Sequence, residues 1–229
     1  RISIAVWLVM TPRWKQALVM RFARALSIVQ VSRLLTGFYT FATSANGQPK
    51  VRTVVHRGFL NEDRTGRIDE REPESCILIF TTDTRSDKVR EITANPSVQI
   101  AWYIDQSRMQ VVETDKFRIS GNASIVGPEP VAQSLPPLAA LQWSEERRRI
   151  YHSLSLPMQG SFLGAAPGTQ EPDADVPIVA GIPTRFVLTN SFSLVAIVPT
   201  AVDAVNIHTG EREIHTLESG EWHTRSVNP

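Results

Sequence analysis

The chain has 229 residues, 42% of them hydrophobic, a net charge of +1 and a single cysteine, Cys76. That apolar share excludes a fully disordered chain, and one cysteine excludes an intrachain disulfide and a cysteine-based zinc site. The longest apolar run, Ile4 to Met10, falls well short of the roughly 20 residues a membrane-spanning helix needs.

Charge is unevenly spread. Residues 1–60 hold nine Lys or Arg and no acid, whereas the rest holds 15 bases against 23 acids. The first quarter is therefore expected to meet something anionic: phosphate, nucleic acid, acidic lipid or an import receptor. Met10 reads as a natural start, with residues 1–9 upstream of it. Thr11-Pro12 reads as a helix N-cap followed by Pro at the first helical position. Trp14, Leu18, Phe22, Ala25 and Val29 then recur at helical spacing. This Arg-rich, acid-free helix is read as packing on a sheet, with a mitochondrial transit peptide as the alternative. Localisation is accordingly expected to be cytoplasmic, or mitochondrial under that alternative.

From Gly37 the period changes to two. Residues 38–43 and 51–60 read as strands of a hairpin around the turn signal Asn46-Gly47. The charged stretch 61–75 reads as a surface loop. Residues 77–82 form a continuous apolar run typical of a buried strand, and 86–95 a short helix stopped by Asn95-Pro96. Strands follow at 98–104 and 116–126, the second placing Phe117, Ile119, Gly121, Ala123 and Ile125 on one face. Residues 128–154 read as helix, and 157–183, with five prolines and four glycines, as an irregular loop. Strands are expected at about 184–198, 201–207, 211–217 and 221–227. Many strands with few helices predict a mainly β fold, an antiparallel barrel. Residues 1–36 are expected to form a helical segment packed on it, and 37–229 the barrel domain.

The five histidines show no metal-ligand spacing, and neither a glycine-rich phosphate loop nor a GxSxG elbow occurs. The stronger signal lies at Thr81-Thr82-Asp83-Thr84-Arg85-Ser86-Asp87-Lys88, where a strand runs into a helix. Hydroxyls, a guanidinium and an ammonium gather beside the free N–H groups of a first helical turn, an arrangement that suits an anion. Asp87 opposes this, or complements the helix dipole. The basic strand Arg52-Thr53-Val54-Val55-His56-Arg57 is the companion element, with Arg52, Val54 and His56 on one face.

Those two segments, followed by Asn95-Pro96, Ala101-Trp102-Tyr103 and Phe117-Arg118-Ile119-Ser120-Gly121, resemble the pyridoxamine 5'-phosphate oxidase-like family in order and spacing. The resemblance runs from about Arg52 to Val126 and resumes at Pro199 to Pro229, where Trp222 and Val227-Asn228-Pro229 fit the family's last strand. It implies an FMN-binding split β-barrel and a homodimer with the flavin at the subunit interface. It places Arg52 and the backbone of Thr53, Val54 and Val55 along the flavin, Arg57 near the phosphate, and Thr81 and Thr82 at the ribityl chain or ring edge. It makes Arg85, Ser86 and Lys88 the phosphate clamp. Lys116 stands where many members have a Gln facing the neighbouring subunit's flavin; a Lys donates there but cannot accept, and its charge would favour the reduced anion.

Departures concern the substrate. Arg212-Glu213-Ile214-His215-Thr216-Leu217 does not reproduce the Arg-x-His-x-Arg pattern of the true oxidases, and Tyr151 and His152 do not match their Tyr and Arg pair. Asp87 stands where those oxidases have a phosphate-binding Arg. The chain thus looks closer to the FMN-binding-domain subgroup. The expected function is an FMN-dependent oxidoreductase acting on an unidentified small molecule, with no side chain nominated as catalytic. The alternatives are a non-catalytic FMN, haem or deazaflavin binding protein on the same barrel and, third, a nucleic-acid-binding barrel. The last is disfavoured because Phe38, Tyr39 and Phe41 have few bases among them. No nucleic-acid, membrane or metal partner is expected.

Overall fold

The computed structural model describes residues 12–18, 37–60, 75–105, 114–128, 140–170 and 186–229. The strands are β1 (Phe38–Ala45), β2 (Gln48–Phe59), β3 (Leu78–Asp83), β4 (Ser97–Asp105), β5 (Thr114–Val126), β6 (Phe192–Asn206), β7 (Arg212–Glu218) and β8 (Glu221–Val227). Among the described residues, besides the helical residues 13–18, the helices are α1 (Asp87–Ala94), α2 (Ala140–Ser153) and α3 (Leu156–Ser161). Among the described residues all strand pairs are antiparallel, in the order β3-β2-β1-β4-β5-β6-β7-β8, and β3 also pairs with β6. That last pairing closes β1 to β6 into a six-stranded barrel and leaves β7 and β8 as an extension of its wall. The mainly β split-barrel expectation holds.

The hairpin forms where its turn chemistry demands. Asn46 and Gly47 both take positive φ, 52° and 75°, and Ala45 pairs directly with Gln48. This is the two-residue turn whose twist matches that of the flanking strands.

Alternation then divides the core in two. Tyr39, Phe41, Val54, Leu78, Phe80, Ile100, Trp102, Phe117, Ile119, Val195 and Ile197 point into the barrel. Ile77, Ile79, Leu194 and Ala196 point outward, beneath Trp143, Ile150 and Tyr151 of α2. β3 reads as an unbroken apolar run because both of its faces are buried. Residues 13–18 are helical, and Trp14 and Leu18 join the barrel cluster, with the Trp14 ring 5.5 Å from that of Trp222. The proposed continuation of this helix to Val29 lies outside the described residues, as do residues 1–9, Met10 and residues 61–74 of the predicted 61–75 loop.

Three expectations are corrected. The strands foreseen at 184–198 and 201–207 are a single strand, β6, which begins only at Phe192. Pro199 reads as a strand breaker, but a bulge accommodates it: Ser120 pairs with Ala201 and Gly121 with Pro199, leaving Thr200 as the extra residue. Gly121 is required there, because a Cβ at this position would sit 2.4 Å from the Val198 carbonyl oxygen. Gly121→Ala is expected to lose about 1–3 kcal/mol in denaturant unfolding. Second, the helix foreseen at 128–154 does not include Pro128 or Leu154: α2 is helical at Ala140–Ser153, and residues 129–139 lie outside the described residues. Third, the loop foreseen from 157 opens with α3, which carries Pro157 in its first turn, where a missing N–H breaks no helical bond. Residues 171–183 of that loop lie outside the described residues.

Candidate functional site

Alternation along three strands brings the site together. Tyr39, Phe41 and Thr43 on β1 share the inward face, as do Val54 and Arg52 on β2 and Phe80 and Thr82 on β3. Thr43, Arg52 and Thr82 thus lie toward the ends of these inward rows at one mouth of the barrel. α1 packs across that mouth, with Ile92 in the core and Ser86, Lys88 and Glu91 turned to the strand ends.

The hydroxyls of Thr82 and Ser86 lie 3.1 Å apart, and the Lys88 ammonium donates to both, at 3.1 and 3.3 Å. Ser86 spends its own proton on the Asp83 carbonyl, 2.7 Å away, so Thr82 supplies the hydrogen between the two hydroxyls. Two of the three Lys88 protons are used. Burial, and after it the Arg52 charge, pushes the Lys88 pKa below its ordinary value. A partly desolvated cation beside a second cation is stabilised by an arriving anion, and Ser86 at the α1 N-cap adds first-turn N–H groups.

The other predicted cations are already engaged. Arg52 lies 2.5 Å from the Glu91 carboxylate and donates to the Thr43 hydroxyl at 2.5 Å and to the Lys50 carbonyl at 3.3 Å. Thr43 in turn donates to the same Glu91 oxygen at 2.5 Å, closing a triangle. Burial by itself would raise the Glu91 pKa; the hydrogen bonds from Thr43 and Arg52 outweigh it and hold the carboxyl below its ordinary range. Arg85 offers its fork to Asp83, from Nε at 3.0 Å and Nη2 at 2.7 Å, and reaches the Gly164 carbonyl with Nη1 at 3.0 Å. Asp83 follows the same pattern as Glu91: burial opposes its charge, and the Arg85 hydrogen bonds and charge win. Asp87 is exposed and pairs with Arg90 on its own helix.

The remaining predicted residues fall elsewhere. Thr53 is exposed on the outer face of β2, with Val55 half-buried beside it, while Val54 points into the barrel. Thr81 is half-buried on the opposite face of β3 from Thr82. Arg57 is buried further along β2, away from the mouth. It flanks His56, whose ring lies 4.7 Å from that of Trp102 inside the barrel. Burial first, then the charges of Arg57 and Lys15, push the His56 pKa down to about 3, so this histidine is neutral.

Lys116 is exposed on the outer face of β5, its ammonium 6.0 Å from the Tyr103 ring centre. It lines an open cavity of about 310 Å³ with Arg118, Arg212 and Gly210. Asp203 binds Arg212 through two hydrogen bonds of 2.9 Å and Arg118 at 3.2 Å. Register places Val55, Phe38, Tyr103 and Lys116 on one outer sheet face. Phe38 and Tyr103 are 39% and 51% exposed there. Within one chain, then, Lys116 belongs to that face and not to the barrel mouth.

Sequence reasoning missed Thr43, Asp83 and Glu91 as site residues. The signals were present: Thr43 follows the inward phase of β1, and Glu91 lies three residues after Lys88, on the same helix face.

Comparisons with known proteins point the same way. The family described as the pyridoxamine 5'-phosphate oxidase FMN-binding domain matches residues 11–127, just over half of the 229 residues. Among curated proteins, the pyridoxine/pyridoxamine 5'-phosphate oxidase 2 of Arabidopsis thaliana is 26% identical over 189 residues, covering 80% of this chain and 82% of that protein. Among solved structures, a pyridoxamine 5'-phosphate oxidase-related FMN-binding protein of Nostoc punctiforme superposes with a TM-score of 0.72 at 22% identity, covering 96% and 99% of the two chains. PhzG of Burkholderia lata, solved with tetrahydrophenazine-1-carboxylic acid, superposes with a TM-score of 0.58 at 16% identity, covering 92% of each chain. At these identities the two structures show the fold. Among the described residues, no helix is long and apolar enough to cross a membrane.

Proposed function

The chain belongs to the pyridoxamine 5'-phosphate oxidase FMN-binding family and its cofactor is FMN, and from that premise we propose that it is an FMN-dependent oxidoreductase acting on a small organic molecule. The observation that carries the reading is the Lys88, Thr82 and Ser86 cradle: a desolvated ammonium on two hydroxyls at a helix N-terminus, suited to a terminal phosphate monoester. Bound flavin supplies the hydride or electron chemistry. The chain's own part is to bind and orient. Lys88 and the hydroxyls hold the phosphate. Arg52 and the 52–55 backbone line the flavin, Arg52 at its phosphate end, with Thr82 beside the ribityl chain. Arg85 borders the cradle and ties it to the turn at Gly164. Arg57, buried along β2, supports that strand.

We further propose that the working unit is a homodimer. The support is the outer sheet face, where exposed Phe38 and Tyr103 lie in register with Val55 and Lys116. On this reading Lys116 reaches the partner's flavin, and the cavity it shares with Arg118 and Arg212 opens beside it. The substrate approaches the exposed ring.

The test is spectroscopic. The purified protein should show a flavin spectrum, release FMN on heating, bleach with a nicotinamide donor and reoxidise in air. A yellow protein that no donor bleaches would favour a flavin-binding protein without turnover. A protein that stays monomeric by light scattering while holding FMN tightly would defeat the dimer.

A further inference from the structure

The triangle of Arg52, Thr43 and Glu91 is unusual for the mouth of an anion site, because it sets a carboxylate among the cations. Glu91 is 9% exposed and sits one helical turn after Lys88. A single oxygen, Oε2, accepts from both Thr43 and Arg52 at 2.5 Å. Thr43 also accepts from Arg52 Nη1 at 2.5 Å, and the Lys50 carbonyl accepts from the same nitrogen at 3.3 Å. Nη1 therefore uses both its protons on the β1–β2 hairpin, and Nη2 spends one on α1. One Nη2 proton and the Nε proton remain. The guanidinium is planar, so three anchored donors fix the direction of the other two. Those anchors come from three elements, β1, β2 and α1, and α1 also carries Lys88. Lys88 reaches from α1 to the Thr82 hydroxyl at the end of β3, so the helix that holds Arg52 through Glu91 also holds the ammonium at the same mouth.

We propose that Glu91 is a positioning residue for phosphate recognition: it locks the Arg52 guanidinium to α1, so that Arg52 and Lys88 present their remaining donors to the FMN phosphate as one rigid pair. This rests on the reading of Lys88, Thr82 and Ser86 as the phosphate cradle. Glu91 touches no cofactor atom itself. A carboxylate this close to a phosphate would by Coulomb's law alone weaken binding. The proposal requires that the geometry it imposes on Arg52 outweigh its own repulsion.

The ratio of FMN to riboflavin affinity isolates the phosphate, because the two ligands share the ring and the ribityl chain. Both constants are read from fluorescence quenching on flavin-free protein, and far-UV circular dichroism with a thermal melt checks folding. The ratio should be high in the parent protein and fall about tenfold in Glu91→Ala. In the Arg52→Ala background, Glu91→Ala should cause no further fall, since it acts through Arg52. Should Glu91→Ala fail to fold, Glu91→Gln enters the same cycle. It keeps an acceptor oxygen and loses the charge, and a fall of about threefold that vanishes without Arg52 is expected.

An unchanged or increased ratio overturns the proposal, because then the charge matters and the position does not. An equal fall with and without Arg52 also overturns it, because Glu91 would then act on the mouth as a whole. A parent ratio near one is a different failure: it removes the phosphate cradle itself, and Glu91 with it.

Discussion

At the barrel mouth each arginine has its own buried carboxylate, Glu91 for Arg52 and Asp83 for Arg85, and the remaining cation, Lys88, lies on two hydroxyls. On the outer face a single half-buried carboxylate, Asp203, serves both Arg118 and Arg212, and the remaining cation, Lys116, is exposed over an aromatic ring. Each cluster ties two arginines to carboxylates and sets a lysine beside them, yet their physics differs. At the mouth, the carboxylates are buried and Lys88 is half-buried, so an ammonium without a carboxylate of its own carries an anion-binding drive. On the face, water screens the charges, and Lys116 keeps the freedom to meet a group brought by another molecule. Counting Lys and Arg along a chain therefore overstates the free positive charge, and burial decides which cation matters.

Removing Lys88 and Lys116, which form no ion pair among the described residues, should separate the barrel mouth from the outer face most visibly. Lys88→Ala is expected to weaken FMN binding about 10- to 100-fold, since a charge-assisted hydrogen bond contributes about 1.5–3 kcal/mol. Its effect on riboflavin should be small. Lys116→Ala should change FMN affinity by less than about fivefold, as expected for an exposed charge, and act instead on the flavin's reduction potential. Titrations of both variants with both ligands decide this. Equal losses in the two variants would mean that burial does not separate the clusters.

Alkaline titration sharpens the same point at the mouth. The ammonium form of Lys88 binds phosphate, and its pKa in the flavin-free protein lies below the ordinary lysine value. FMN affinity should therefore begin to fall before pH reaches about 10.4, the usual lysine range, whereas riboflavin affinity should not. Lys88→Arg should abolish that early decline, because a guanidinium stays charged throughout. A flat FMN profile up to that pH in the parent protein would contradict the assignment.

Acid works on the carboxylates. Asp83, Glu91 and Asp203 all have folded pKa values held below their ordinary ones. Each contributes stability that is present above the usual carboxylate range near pH 4 and is lost as pH falls through the lowered folded value. Glu91→Gln should flatten the acid limb of a stability–pH curve more than Asp203→Asn does, because Glu91 is the more buried. The smallest expected effect is on thermal stability at neutral pH: Asp203→Asn should lower Tm by about 2 °C or less. Arg85→Ala should weaken FMN binding by less than about threefold, since its fork already faces Asp83. Calorimetry and flavin titration measure these. A loss in Arg85→Ala as large as in Lys88→Ala would return Arg85 to the phosphate clamp.

Much of the site was legible because it is locally encoded. Thr82, Ser86 and Lys88 lie within seven residues, where a strand ends and a helix begins, and the helix itself sets their spacing. The inward phase of Arg52 follows from strand alternation. The carboxylate partners were not legible in the same way. Glu91 is 39 residues from Arg52 and 48 from Thr43. Asp83 is close to Arg85 in sequence, but whether that arginine faces a carboxylate or a ligand depends on how the Gly164 turn packs beside it. Pro199 is a related case: by itself a proline disfavours a central strand, and only the Thr200 bulge opposite Gly121 shows how the ladder absorbs it.

What the sequence determined by itself was the set of short-range consequences. These are the hairpin at Asn46-Gly47, the doubly buried β3, the inward stripe of β5, and the hydroxyl and ammonium cluster at the α1 N-terminus. Each depends on torsional preference and periodicity within a few residues. Tertiary structure alone decided which charges cancel. Barrel closure through β3 and β6 and the packing of α1 across the mouth bring the distant Glu91 to Arg52, and the strength of an ion pair depends on distance and burial, which linear order does not contain.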